Sequence, residues 1–123
     1  MTVLAEVIIH RNAGGNVRHA LRNMIILDEV LGLKEIALVH HTDCSTLRFR
    51  DDDIRRSLKL KTDSQYWPVI DSMHMGAITD VEHSVRDDLE WLEATPFVRK
   101  DLTERARGLV FDVKTGLVNP VTQ

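Results

Sequence analysis

One cysteine, Cys44, stands in 123 residues. That excludes an internal disulfide and limits a metal site built by one chain to a single thiolate. Such cysteine usage fits a reducing compartment, so a cytoplasmic location is expected. No apolar run approaches the roughly 18–20 residues that span a bilayer, and no membrane partner is expected. The start, Met1-Thr2-Val3-Leu4-Ala5-Glu6, has no basic region followed by an apolar stretch, hence no secretory signal. Positive charge is not in excess either. Sixteen basic against nineteen acidic residues leave −3, which removes the electrostatic case for nucleic acid. Repeats, low-complexity tracts and Pro/Gly-rich linkers are missing too, which predicts one domain over residues 1–123. What is there, 43% hydrophobic and 28% charged residues, is the make-up of a chain that folds around a core.

The pattern along the chain is that of an α/β protein. Glu6-Val7-Ile8-Ile9-His10 is a β-branched run that ends in Arg11-Asn12-Ala13-Gly14-Gly15, a strand entering a glycine turn. From Val17 the period becomes helical, with Val17, Leu21, Met24, Ile25, Leu27, Val30 and Leu31 on one face and Gly32 at the stop. Glu35-Ile36-Ala37-Leu38-Val39-His40 reads as a second, largely buried strand. Strand, helix, strand predicts a βαβ unit with parallel strands. Acids at Asp51-Asp52-Asp53 suit a helix start before Ile54. Residues 61–78 show no clean period and read as loop or short helix. Thr79-Asp80-Val81-Glu82 reads as a capping box, followed by a buried stripe at Val81, Val85, Leu89 and Leu92 and a stop at Thr95-Pro96. Leu109–Val113, Lys114-Thr115-Gly116 and Leu117-Val118 read as a terminal strand with a hairpin-like turn. The expected fold is a mostly parallel sheet with flanking helices.

In such sheets ligands bind beyond the carboxyl ends of the strands. Two segments leave strands there, Arg11–Gly15 and His40–Ser45, and should face one crevice. The first opens onto a helix N-terminus, so Arg11, Asn12, Gly14 and Gly15 are candidates to seat a small anion. The competing reading is a tight turn that needs positive φ. The second carries His41-x-x-Cys44, an imidazole and a thiolate of the kind that suits zinc. Taken alone, these two residues read more readily as a polar turn beside a half-buried thiol. Asp43 is either a carboxylate orienting His41 or a turn residue, and His40 points to the opposite strand face.

His10-Arg11-Asn12-Ala13-Gly14-Gly15, Leu31-Gly32-Leu33-Lys34-Glu35-Ile36 and His40-His41-Thr42-Asp43-Cys44 together resemble the β-class carbonic anhydrases. Val81–Glu90 and Gly108–Gly116 extend the resemblance over nearly the whole chain. It implies that His41 and Cys44 are zinc ligands, one ion per chain. It also implies an α/β subunit that forms a homodimer or larger assembly, and reversible hydration of carbon dioxide to bicarbonate. The chemistry implied is water lowered by zinc to a pKa of about 7.

The resemblance is incomplete. The family carries a Cys-x-Asp-x-Arg segment upstream of the glycine turn, which this sequence does not contain, and Ser45 stands where glycine usually follows the cysteine. The first family strand is therefore expected to be missing. The strands ending at His10 and His40 are then expected to close up and pair directly. Three readings follow: a zinc lyase completed by Asp43, His10, His74 or a second chain; a non-catalytic dimeric homologue; or an enzyme acting on a small carboxylate through the glycine turn.

Overall fold

Alternate residues of Ala37-Leu38-Val39-His40-His41 turn to opposite sides, and one set is buried: Leu38 and His40 lie inside while Ala37, Val39 and His41 are exposed. This computed structural model describes residues 2–4, as backbone, and 7–122. Met1, Ala5, Glu6 and Gln123 lie outside the described residues, and so does the Glu6 start of the expected first strand. The elements are β1 (Thr2–Leu4), β2 (Val7–Ile9), α1 (Leu21–Leu31), β3 (Ala37–His41), α2 (Asp51–Lys59), α3 (Trp67–Ser72), α4 (Val81–Ala94), α5 (Lys100–Glu104), β4 (Arg107–Phe111) and β5 (Val118–Val121).

The α/β class holds, with a mixed sheet. β3 pairs in parallel with β4, His41 opposite Phe111, and β4 pairs antiparallel with β5. The direct pairing expected between the strands ending at His10 and His40 is not what forms. β2 instead pairs antiparallel with β1, in a two-stranded sheet of its own. The hairpin closes over few residues, so its ordering cost is the smaller one. The β3 edge that β2 would have used is approached by the glycine turn, which packs against the Val39 carbonyl and the His40 ring. The βαβ unit therefore gives way to a crossover from β3 to β4 that carries α2 to α5.

α4 lies across β3 and β4 with Val85, Leu89 and Leu92 inward, as its period predicts. Its cap sits one residue later than the expected box: Asp80 accepts the His83 N–H at 3.2 Å, and Val81 is the first helical residue. Gly108 lets the helix approach β4, because a Cβ there would collide with Val85 and Leu89. Val17, Ile36, Leu38, Val98, Leu102 and Val121 complete the core. The aperiodic 61–78 stretch contains a short turn of helix at Ser64–Tyr66 and then α3. The terminal strands meet through a tight turn in which Asp112 O accepts the Gly116 N–H at 2.8 Å.

The end of α1 and the loop that follows it are tied by Arg99. Its Nε and Nη2 donate to the two carboxylate oxygens of Asp28 at 2.9 Å each, and Nη2 also donates to the Leu33 carbonyl. Asp28 Oδ1 further accepts the Leu33 N–H at 2.9 Å. Arg99's hydrogen bonds hold the Asp28 carboxyl below its ordinary range against the opposing effect of burial, and the Leu33 bond adds to them. A carboxyl depressed on folding contributes stability that is present above its unfolded value and is lost as pH falls through the folded one. The thermal midpoint is therefore expected to drop from pH 5 to pH 3 more in the wild type than in Asp28→Asn. Parallel curves for the two proteins would show that the Arg99 pair contributes nothing.

Candidate metal centre

β3 ends at His41, and the chain turns through Thr42 and Asp43 to reach Cys44. Asp43 adopts φ +55°, a left-handed conformation that aspartate tolerates better than most residues. The turn is pinned to the end of β4: Thr42 N–H donates to Phe111 O at 2.9 Å, and Val113 N–H donates to Thr42 Oγ1 at 3.0 Å. His41 Nδ1–H donates to the Thr42 carbonyl at 2.7 Å. That bond fixes the ring and leaves the Nε2 lone pair free to bind a metal. The oxygen that orients His41 is thus a backbone carbonyl, and Asp43 shapes the turn. Cys44 is a buried free thiol whose Sγ lies 2.9 Å from Thr46 Oγ1. Among the described residues, no group of three or more His, Cys, Asp or Glu side chains is placed to hold one ion.

The glycine turn rests on both arms of this loop. Asn12 closes it by accepting the Asn16 N–H at Oδ1 (2.6 Å) and donating from Nδ2 to Asn16 O (2.9 Å). Gly14 and Gly15 hold φ of +78° and +63°. A Cβ on Gly15 would lie 2.9 Å from both Val39 O and His40 Cδ2, and one on Gly14 would lie 3.2 Å from Thr46 Cγ2. The two segments expected at one crevice are therefore in contact. The N–H groups around the turn meet acceptors of the protein itself. Val17 N–H donates to Asp88 Oδ2 at 3.0 Å, Gly15 N–H to Asn12 O at 3.1 Å and Arg18 N–H to Asn16 Oδ1 at 2.9 Å. A small anion from solution would have to displace protein acceptors at consecutive N–H groups, and Arg11 lies exposed beside them.

Sequence reasoning set His40 aside as facing away, and the structure shows what it faces. The residue is 3% exposed; Nε2–H donates to Gly15 O at 3.0 Å and to Asp88 Oδ2 at 3.2 Å, while Nδ1 bonds Ser84 Oγ at 2.8 Å. The signal was available in α4, where Asp88 interrupts the apolar stripe of Val85, Leu89 and Leu92. An acid on a buried face needs a partner. The other histidines weighed as ligands are engaged elsewhere. His10 Nδ1 bonds Asn23, and His74 Nδ1 lies 3.5 Å from His19 Nε2. Burial, then Arg18 and His19, push His74 below the ordinary histidine value.

No protein-family model matches the chain. Over 118 residues it is 38% identical to β-carbonic anhydrase 1 of Mycobacterium bovis, covering 95% of this chain and 68% of that protein. The chain belongs to the β-carbonic anhydrase family. This β-carbonic anhydrase fold also matches the crystal structure of the Streptococcus mutans carbonic anhydrase, with a TM-score of 0.81 and 33% identity over 98% of this chain and 70% of that one. The chain is also similar to the carbon disulfide hydrolase of an Acidianus strain, 28% identical over 87% of this chain and 61% of that protein. The chain spans about two thirds of the length of these relatives.

Proposed function

We propose that this chain supplies His41 and Cys44 as ligands of a zinc ion in a β-carbonic anhydrase centre for the reversible hydration of carbon dioxide. The observation that carries the reading is the His41–Thr42 hydrogen bond, which aims Nε2 away from the backbone three residues before a buried thiol. The donor set fits the metal: neutral imidazole and thiolate are the nitrogen and sulfur ligands zinc prefers. Zinc would supply the Lewis acidity that activates water. His41 holds its ring fixed, and the Thr46 hydroxyl lies within hydrogen-bond distance of the Cys44 sulfur. Asp43 sets the turn between the two ligands, and the glycine turn closes the wall behind them. A tetrahedral ion needs further ligands, which water or a second chain can supply.

Zinc content by atomic absorption and carbon dioxide hydration by stopped flow, on the same samples, test this. The 123 residues alone are expected to take up zinc through His41 and to hydrate carbon dioxide weakly, because catalytic zinc ordinarily has three protein ligands. Zinc content and hydration in His41→Ala equal to those of wild type would overturn the assignment. Self-association belongs to the same reading. Val30 and Leu31 of α1 are 73% and 62% exposed although they continue its apolar face, which a second copy would cover. Sedimentation as a strict monomer would contradict that part.

A further inference from the structure

His40 reaches two other segments from β3 and is used by none of the chemistry above. Its ring joins the glycine turn at Gly15 O to α4 at Asp88 and Ser84. The Ser84–His40–Asp88 order looks like a hydrolytic array, but Ser84 Oγ–H donates to the Val81 carbonyl of its own helix at 2.6 Å. With His40 3% exposed, no substrate reaches the imidazole. A mechanical role remains. His40 and His41 are consecutive on β3, so fixing the inward ring fixes the direction in which the outward one leaves the strand. On the other side, Gly14 packs on Thr46, and Thr46 Oγ1 contacts Cys44 Sγ. The glycine turn thus touches the neighbour of each ligand, and His40 is the side chain that holds it down.

We propose that His40 is a positioning residue for the His41–Cys44 pair, acting through the glycine turn; this rests on reading that pair as a metal centre. Cobalt(II) chloride is the probe, because a cobalt–thiolate bond gives a near-ultraviolet charge-transfer band and the visible bands report ligand geometry. In wild type the thiolate band is expected. In His40→Leu cobalt affinity should fall about 10–100-fold, the range for groups that orient a metal ligand, with altered visible bands. His40→Gln, whose amide can still donate to Gly15 O, should restore affinity to within about threefold. A role in stability alone would lower the thermal midpoint and leave the spectrum unchanged. Ser84→Ala keeps the core volume and removes the bond to His40 Nδ1, together with one to the Val81 carbonyl of its own helix, so it decides the matter if His40→Leu does not fold; a change in the same direction is expected. Wild-type affinity and spectrum in the folded variants overturn the inference alone. No thiolate band in wild type overturns the metal-centre reading and the inference with it.

Discussion

Cys44→Ser is expected to lower zinc affinity by at least about 100-fold while leaving the fold in place. Thiolate is the strongest donor available here for a borderline-soft ion, and a serine hydroxyl stays protonated near neutral pH and binds zinc poorly. The side chain is 6% exposed, so its replacement has to be tolerated by packing as well as by the metal. Serine is nearly isosteric, and its hydroxyl can hydrogen-bond Thr46 Oγ1 where the sulfur lay at 2.9 Å. Loss of zinc without loss of structure separates a ligand from a residue that merely supports the loop. Equilibrium dialysis with zinc, together with a thermal melt of the same samples, reads both. Unchanged zinc stoichiometry in a folded Cys44→Ser protein would remove the assignment.

Gly15→Ala is expected to destabilise the protein by about 2–5 kcal/mol, from left-handed backbone strain of about 1–2 and overpacking of about 1–3. The second contribution is the informative one. The new methyl would meet the Val39 carbonyl and the His40 ring at 2.9 Å, and a strand carbonyl cannot swing aside as a flexible side chain can. Gly116 provides the comparison: its φ is +74°, yet no atom lies within 4 Å of an added Cβ. Gly116→Ala should therefore cost only the backbone part, about 1–2 kcal/mol. Against a total stability of roughly 5–15 kcal/mol the difference is measurable by urea unfolding. Equal costs at the two positions would show that the glycine turn does not bear on β3 as described.

Local chemistry was legible in the sequence wherever a short-range pattern had one physical solution. The α4 stripe at Val85, Leu89 and Leu92 is buried because a 3.6-residue period leaves no other face to bury. The two-residue alternation of β3 put His40 and His41 on opposite sides, and the burial of the one and exposure of the other follow. Pairing was not legible. Which edge a strand joins depends on competing closures, and three residues of β2 carry too little pattern to choose between a local hairpin and a distant parallel partner. The acceptors around the glycine turn were not legible for a related reason. A helix N-terminus calls for an anion, but sequence spacing does not say whether that anion is a ligand or, as with Asp88, a side chain 71 positions further along. The partners of His40 were not legible either, because strand alternation shows that its ring turns inward but not what it meets there.

X-ray absorption at the zinc edge, on the zinc-loaded protein and its two single variants, tests the central claim most directly. A sulfur scatterer at about 2.3 Å and an imidazole nitrogen at about 2.0–2.1 Å are expected in wild type. The sulfur should vanish in Cys44→Ser and the imidazole signature in His41→Ala. A shell of oxygen and nitrogen alone, unchanged by either substitution, would contradict the placement of the metal on these two residues.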